Sequence, residues 1–230
     1  MQVFSYGDRV RHHSRLRFGW WRVSIRSTSR GWLSGHRGKR NRSGLLRGQQ
    51  MKIVPDRTLP MGAFTEFVCN AQRRMFRLET RDDYPDDYEM MARWYAGESV
   101  ESSILDCQWS KNLRAMTDRG VDCTRVHVVP EPLTEYLRFE VFGYYPISSS
   151  QLGERIFILP EERITADLLF WGSRTDFLLV DDTLLVHEYD PDTGLFSSTG
   201  IVSSPDLLRV ASDEAEYLLS RAIPLANFQS

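Results

Sequence analysis

The stretch from Val121 to Tyr145 constrains the fold more than any other part of the chain. Val126, Val128 and Val129 supply β-branched side chains that fit a pleated, half-buried surface, so the spacing predicts a strand. Pro130 stops it, because proline donates no ladder hydrogen bond. Pro132 suits the first helical position, where a missing N–H costs nothing. After it, Leu133, Tyr136, Leu137, Val141 and Tyr144 recur at i, i+3, i+4, i+8 and i+11, the apolar face of a helix.

The rest of the chain extends this mixed pattern. Phe64, Phe67, Val68, Ala71 and Met75 predict a helix over 63–74. The run from Met75 to Thr80 then alternates as a strand, with Phe76 and Leu78 facing one way and Arg77 and Glu79 the other. Pro85 and its neighbouring aspartates make a turn, and Asp86 or Asp87 is placed to cap a helix that ends at Gly97. Leu105, Trp109, Leu113 and Met116 mark a helix to about Arg119, with Trp109 in the core. Ser148 to Gly153 reads as a polar connector. Strands at 155–159, 175–180, 183–189 and 195–202, joined by turns at Asp181-Asp182 and Asp190–Gly194, read as a meander. Ser204-Pro205 opens a last helix. The expected class is α+β, a mainly antiparallel sheet with helices packed on one face, formed by 51–230 as a single domain.

Charge divides the chain. Residues 1–50 hold eleven Arg and one Lys against one Asp, a net of +11. The remaining seventeen basic and thirty acidic residues give −13, so the overall −2 hides two opposite segments. The first fifty residues show no sustained period and read as a disordered basic extension. Their excess of Arg over Lys also suits translation of an upstream frame, with a true start at Met51. The acidic remainder argues against a general duplex-binding surface, which depends on neutralising phosphates.

Other classes fall away in turn. No apolar run approaches the ~20 residues that cross a bilayer. Cys69, Cys107 and Cys123 are an odd set without a C-x-x-C pair, which fits a reducing cytoplasm. Asp82, Asp83, Asp86 and Asp87 lack the spacing of a calcium loop. His187 and Glu188 point to opposite faces of one strand, so with Asp190 and Asp192 they do not make a first coordination shell. No metal and no cofactor is therefore expected. The chain carries no Walker loop, G-x-S-x-G, H-E-x-x-H or G-x-G-x-x-G, and no catalytic residue is assigned.

Several motifs occur together in order: Phe76-Arg77-Leu78-Glu79-Thr80-Arg81-Asp82-x-Tyr84, Trp109, Arg119-Gly120, Arg125-Val126-x-Val128-Val129, Pro132-Leu133-Thr134-x-Tyr136-Leu137-Arg138-Phe139-Glu140, and Asp190-x-x-x-Gly194. Over about 63–228 the chain resembles an actinobacterial family of unknown function. Genes of that family commonly neighbour small helix-turn-helix regulators and their short partner proteins. The resemblance implies a regulatory or adaptor protein that works with a helix-turn-helix partner, docking it through an acidic surface without touching DNA itself. A second reading is a small-ligand-binding protein or enzyme. Glu79, Arg81, Tyr84, Arg125, Arg138 and Glu140 are the candidates for its pocket, because Arg forks hold anions bidentately. The same residues also suit a structural charge network, in which Arg125 and Arg77 emerge from strands beside carboxylates and a partly buried Arg needs a partner. A third reading, direct nucleic-acid binding, would rest on residues 1–50.

Overall fold

Seven of the eight residues in the strand Asp122–Val129 are buried, and a strand buried on both sides needs cover on both. The computed structural model describes residues 53–228. The expectations about the disordered extension and the start at Met51 lie outside the described residues.

In chain order the elements are β1 (Arg57–Leu59), α1 (Met61–Cys69), β2 (Arg74–Glu79), α2 (Tyr88–Tyr95), α3 (Glu101–Asp106), α4 (Gln108–Asp118) and β3 (Asp122–Val129). Then come α5 (Glu135–Phe139), a π-helical turn (Glu140–Tyr144), α6 (Tyr145–Leu152), β4 (Arg155–Pro160) and α7 (Leu169–Gly172). The chain ends with β5 (Phe177–Val180), β6 (Thr183–Tyr189), β7 (Phe196–Val202), α8 (Pro205–Arg221) and β8 (Ile223–Pro224). The strands form one sheet in the order β1-β7-β6-β5-β2-β3-β4-β8. β3 pairs parallel with both β2 and β4, and the other five pairings are antiparallel.

The sheet is thus mostly antiparallel, but helices cover both of its faces instead of the expected one. On one face Phe76, Leu78, Val126, Val128 and Phe177 pack beneath α8 and α7. On the other, Met75, Cys123, Leu178 and Leu185 pack beneath α1 and α4. Val129 and Ile158 continue that second face beneath α5 and α6. The reason lies in β3, whose valines alternate with residues that are also buried.

Local departures from the sequence reading have physical causes. Met75 belongs to β2 and is fully buried there, so the first helix stops at Cys69. The helix expected over 105–119 breaks at Cys107, whose extended backbone makes it the cap of α4, with Sγ accepting from the Ser110 N–H at 3.4 Å. Pro132 does not open α5. Thr134 does, its Oγ1 accepting from Leu137 N at 3.2 Å as an N-cap side chain should. Asp87 makes no side-chain cap for α2. The supposed connector at 148–153 is mostly helix, ended by Gly153 in the left-handed region at φ 74°.

The expected apolar stripe does pack together: Leu133, Tyr136, Leu137, Val141 and Tyr144 share one cluster. It continues through the π-helical turn, a rare geometry often found at functional sites. Gly143 permits this turn, because a Cβ there would lie 2.8 Å from Trp94 Nε1. Gly143→Ala is therefore expected to cost roughly 1–3 kcal/mol through overpacking. Urea unfolding checks this, and an unchanged midpoint would show that the turn has room.

Candidate ligand-binding site

Strand alternation assembles the site. Met75, Arg77 and Glu79 lie beside Cys123, Arg125 and His127 in register across the parallel β2–β3 pair. Leu178 stands opposite Arg77 on β5, and Leu185 opposite Leu178 on β6. His187 and Tyr189 follow Leu185 at the period-2 spacing that keeps them on the same face. One face thus runs from apolar to charged as β2 and β3 approach their C-terminal ends. The carboxyl ends of parallel strands are where open α/β sheets leave a crevice for ligands.

A cavity of about 380 Å³ opens there. Arg77, Glu79, Tyr84, Arg125, Glu140 and Tyr144 form its polar side. Phe64, Trp109, His187, Tyr189 and Phe196 form an aromatic side. Phe64 and Trp109 lie parallel within 6°, with centroids 6.4 Å apart, and Arg77 sits over the indole at 5.4 Å.

Behind this wall lies a buried charge array. Arg125 is 2% exposed. Its Nε donates to Glu154 Oε1 at 3.0 Å and its Nη1 to Glu79 Oε2 at 3.2 Å. Arg77 Nη2 reaches Glu79 Oε1 at 2.5 Å, and the Tyr145 hydroxyl donates to Glu79 Oε2 at 3.0 Å. Ser148 Oγ donates to Glu154 at 2.6 Å. Burial would raise the Glu79 pKa, but Arg125 and Arg77 hold it down at about 2.

His127 is read as an imidazolium from its partners alone. Nε2 lies 2.9 Å from the Arg81 carbonyl, which can only accept. Nδ1 lies 2.5 Å from the Tyr145 hydroxyl, whose proton is committed to Glu79. Both ring nitrogens therefore donate. Burial opposes this charge, but the Glu140 and Glu79 carboxylates raise the pKa to about 9. Nδ1 also stands 3.1 Å from Glu140 Oε2. That contact is a close ion pair, which with Glu79 holds the charge on His127. Burial and Arg77 push His187 the other way, to about 3, so it is neutral and bonds Thr199 Oγ1 at 2.9 Å. Burial and Glu140 raise Asp87 to about 6.

A second buried hub steadies the rim. Asp176 accepts from the Thr80 N–H and hydroxyl at 2.8 Å each, from Tyr84 at 2.8 Å and from Tyr189 at 2.6 Å. Among the described residues, five buried side-chain polar atoms have no hydrogen-bond partner. Three of them, Arg125 Nη2, Trp109 Nε1 and Glu140 Oε2, belong to residues that line the cavity.

Of the residues singled out from sequence, Glu79, Tyr84, Arg125 and Glu140 meet at the cavity. Arg81 stays at its edge, stacked 4.2 Å over Tyr189, with only its carbonyl in the array. Arg138 does not join them, because it lies on the exposed side of α5 near Phe142. Arg77 joins Arg125 on Glu79, as the structural-network reading expected, while His127, Tyr145 and Glu154 were missed as members of the array. Trp109 packs against the core cluster beneath α1 and α4, and its partly buried ring also walls the cavity. Glu79, His127 and Glu140 bring one ligand atom each within 4.8 Å of one another. They suit a cation poorly, since Glu79 is taken by two guanidinium groups and both His127 nitrogens are donating.

The array makes stability depend on pH in a defined direction. The folded His127 holds its proton up to about pH 9, against an ordinary value of 6.5. The stabilisation is thus complete below pH 6.5 and lost as pH rises through about 9. At 1.36 kcal/mol per pKa unit the loss is up to roughly 3 kcal/mol. Denaturant unfolding between these values should show it, and His127→Gln should flatten that slope. A slope that survives the substitution would contradict the assignment.

Comparisons with known proteins place the chain as follows. Three solved structures show low similarity to it. The archaeal chromatin protein TrmBL2, described as showing a novel mode of DNA binding, has a TM-score of 0.41 at 9% identity, with 73% of this chain and 53% of that chain covered. This chain thus spans about half the length of that relative. The phospholipase D family member Nuc from Salmonella typhimurium has a TM-score of 0.40 at 13% identity, covering 72% of this chain and 88% of that one. NucT from Helicobacter pylori has a TM-score of 0.41 at 6% identity, covering 73% and 95%. Similarity at this level establishes neither a shared site nor a shared chemistry. No curated protein matches. Residues 62–230 match the family described as domain of unknown function DUF6879, and the chain belongs to that family.

Proposed function

We propose that this domain binds a small molecule in the cavity between the charged end of the sheet and helices α1, α2 and α4. The observation that carries the reading is the cavity wall itself, where the aromatic rings of Phe64, Trp109 and Phe196 stand with the charged side chains of Arg77, Glu79, Arg125 and Glu140 around one space. The volume of about 380 Å³ lies within the range of small-molecule sites. The cavity joins apolar and aromatic walls to a few convergent polar groups, the usual makeup of such sites. Catalysis is not part of the proposal.

Met61 supports a direct test. It lines the cavity yet is 54% exposed, so a larger side chain there can block the mouth without disturbing the core. Aromatic fragments screened by ligand-observed NMR should bind the protein and lose about tenfold in affinity to Met61→Trp, with unchanged melting temperature. Fragments that bind both forms equally, or none that bind, would overturn the reading.

A second reading has one observation in its favour. The net −13 of residues 51–230 suits docking of a basic partner, such as a helix-turn-helix regulator encoded nearby in an actinobacterial genome. Three unpaired thiols favour a cytoplasmic setting for it. Among the described residues no helix is long and apolar enough to cross a membrane. Protein lacking residues 1–50 should still bind that regulator in a mobility-shift assay, and neither form should shift DNA unaided. DNA binding by the full chain alone would overturn the adaptor reading.

A further inference from the structure

The charge left over at the cavity wall narrows the class of ligand, an inference that rests on the ligand-pocket reading above. Arg77 and Arg125 both pair with Glu79, Arg125 also pairs with Glu154, and His127 stands against Glu79 and Glu140. Three cations thus face three carboxylates. Asp86 and Asp87 line the same cavity outside that balance. Among the described residues neither makes an ion pair. Asp86 accepts from the Phe196 N–H at 3.3 Å, and Asp87 from the Tyr136 hydroxyl at 3.1 Å. Burial and Glu140 raise Asp87 to about 6, so at pH 7 it is mostly ionised with no cation paired to it. His187 is neutral and brings no positive charge to the wall.

Two further observations give this acidity a ligand. Glu140 is 4% exposed and lines the cavity. Its Oε2 is closed off against His127 Nδ1 at 3.1 Å. Its Oε1 is not among the closed-off atoms, and no described residue donates a hydrogen bond to it. The apolar part of the wall is made of aromatic rings, whose faces carry negative charge density and attract cations. Phe64 and Trp109 are parallel at 6.4 Å, and Phe196 lies 5.9 Å from Phe64. Arg77 already uses the Trp109 ring, 5.4 Å above it, and shows that this wall accepts a cation. The bond from Phe196 to Asp86 sets a carboxylate beside the other end of the wall.

We infer that the cavity takes an organic monocation, an ammonium carried on a flat apolar group. The ammonium lies among Asp86, Asp87 and Glu140 Oε1, and the apolar group lies along Phe64, Trp109 and Phe196. One positive charge reduces the excess of two carboxylates without opening any ion pair of the array. An anion would meet those carboxylates directly, and a neutral molecule would leave them uncompensated. The site is distinct from the Glu79–His127–Glu140 cluster, because it leaves Glu79 and His127 to their partners in the array.

The probes 2-phenylethylamine, 2-phenylethanol and 3-phenylpropionate test this, because they share a ring and a short chain and differ in charge. Each is titrated at pH 7 into the full 230-residue protein while the Trp109 indole N–H is followed by NMR, assigned by its disappearance in Trp109→Phe. The amine should shift that resonance with a dissociation constant of about 1 mM, as suits so few atoms. The alcohol should bind about tenfold more weakly, and the carboxylate more weakly still. Asp86→Asn with Asp87→Asn removes the excess charge, while each amide oxygen can still accept its present hydrogen bond. In that variant the advantage of the amine over the alcohol should fall to about twofold, with the alcohol unchanged and the melting temperature kept. Met61→Trp should weaken the amine about tenfold, which separates the cavity from attraction to acidic surface elsewhere. Alcohol or carboxylate binding as tightly as the amine, or an amine preference that survives the aspartate substitutions, would overturn the class and leave the pocket. Binding by none of the three, alongside other aromatic fragments that do bind, would do the same. If no fragment binds at all, class and pocket both fall.

Discussion

Arg125 is a guanidinium on a central strand with almost no access to water, and much of the structure near it answers to that charge. A buried charge stripped of partners destabilises a protein by about 3–5 kcal/mol. Glu79 meets it from β2 and Glu154 from the start of β4. Glu154 is held in turn by Ser148, which explains why α6 carries a buried serine. Glu79 recruits Arg77 and Tyr145, and Tyr145 recruits His127. The π-helical turn widens the helix where Glu140, Tyr144 and Tyr145 must all reach toward β3.

Such an array does not serve stability efficiently. Well-packed apolar side chains of similar volume are often equally stable or more so. The same sheet shows this a few residues away, where Met75, Cys123, Leu178 and Leu185 make an ordinary apolar core on the same face. The polar end therefore marks a place where the fold accepts cost, and on the proposal of ligand binding the cavity beside it gives that cost a use. Two networks share the site. Asp176 fixes the tyrosines of the rim, while the Arg125 array fixes the floor.

Much of the fold was legible because local chemistry and tertiary structure agree. Ser204 and Pro205 open α8 as their residue types require, with Ser204 Oγ accepting from Leu207 N at 3.3 Å. The Asp190–Gly194 turn holds its aspartate on Thr193 N at 2.8 Å and its glycine at φ 74°. Burial was less legible. Serines at 148–150 resemble a loop until Glu154 is seen to need one of them. The helix cover on both faces could have been read from β3, where polar Thr124, Arg125 and His127 interrupt the valines yet are buried. Within the site, Glu79, Tyr84, Arg125 and Glu140 were legible because a charged or phenolic residue inside an apolar pattern stands out. His127 was not, since its partner Tyr145 lies eighteen residues on and its charge depends on a carbonyl.

The array around Arg125 balances its own charge, and that balance hinges on His127. Nitrogen-15 NMR of the histidine rings reads it directly. At pH 7 both nitrogens of His127 are expected to carry protons, while His187 is a neutral tautomer. A neutral His127 at that pH would leave the array with an uncompensated carboxylate, and would contradict the account.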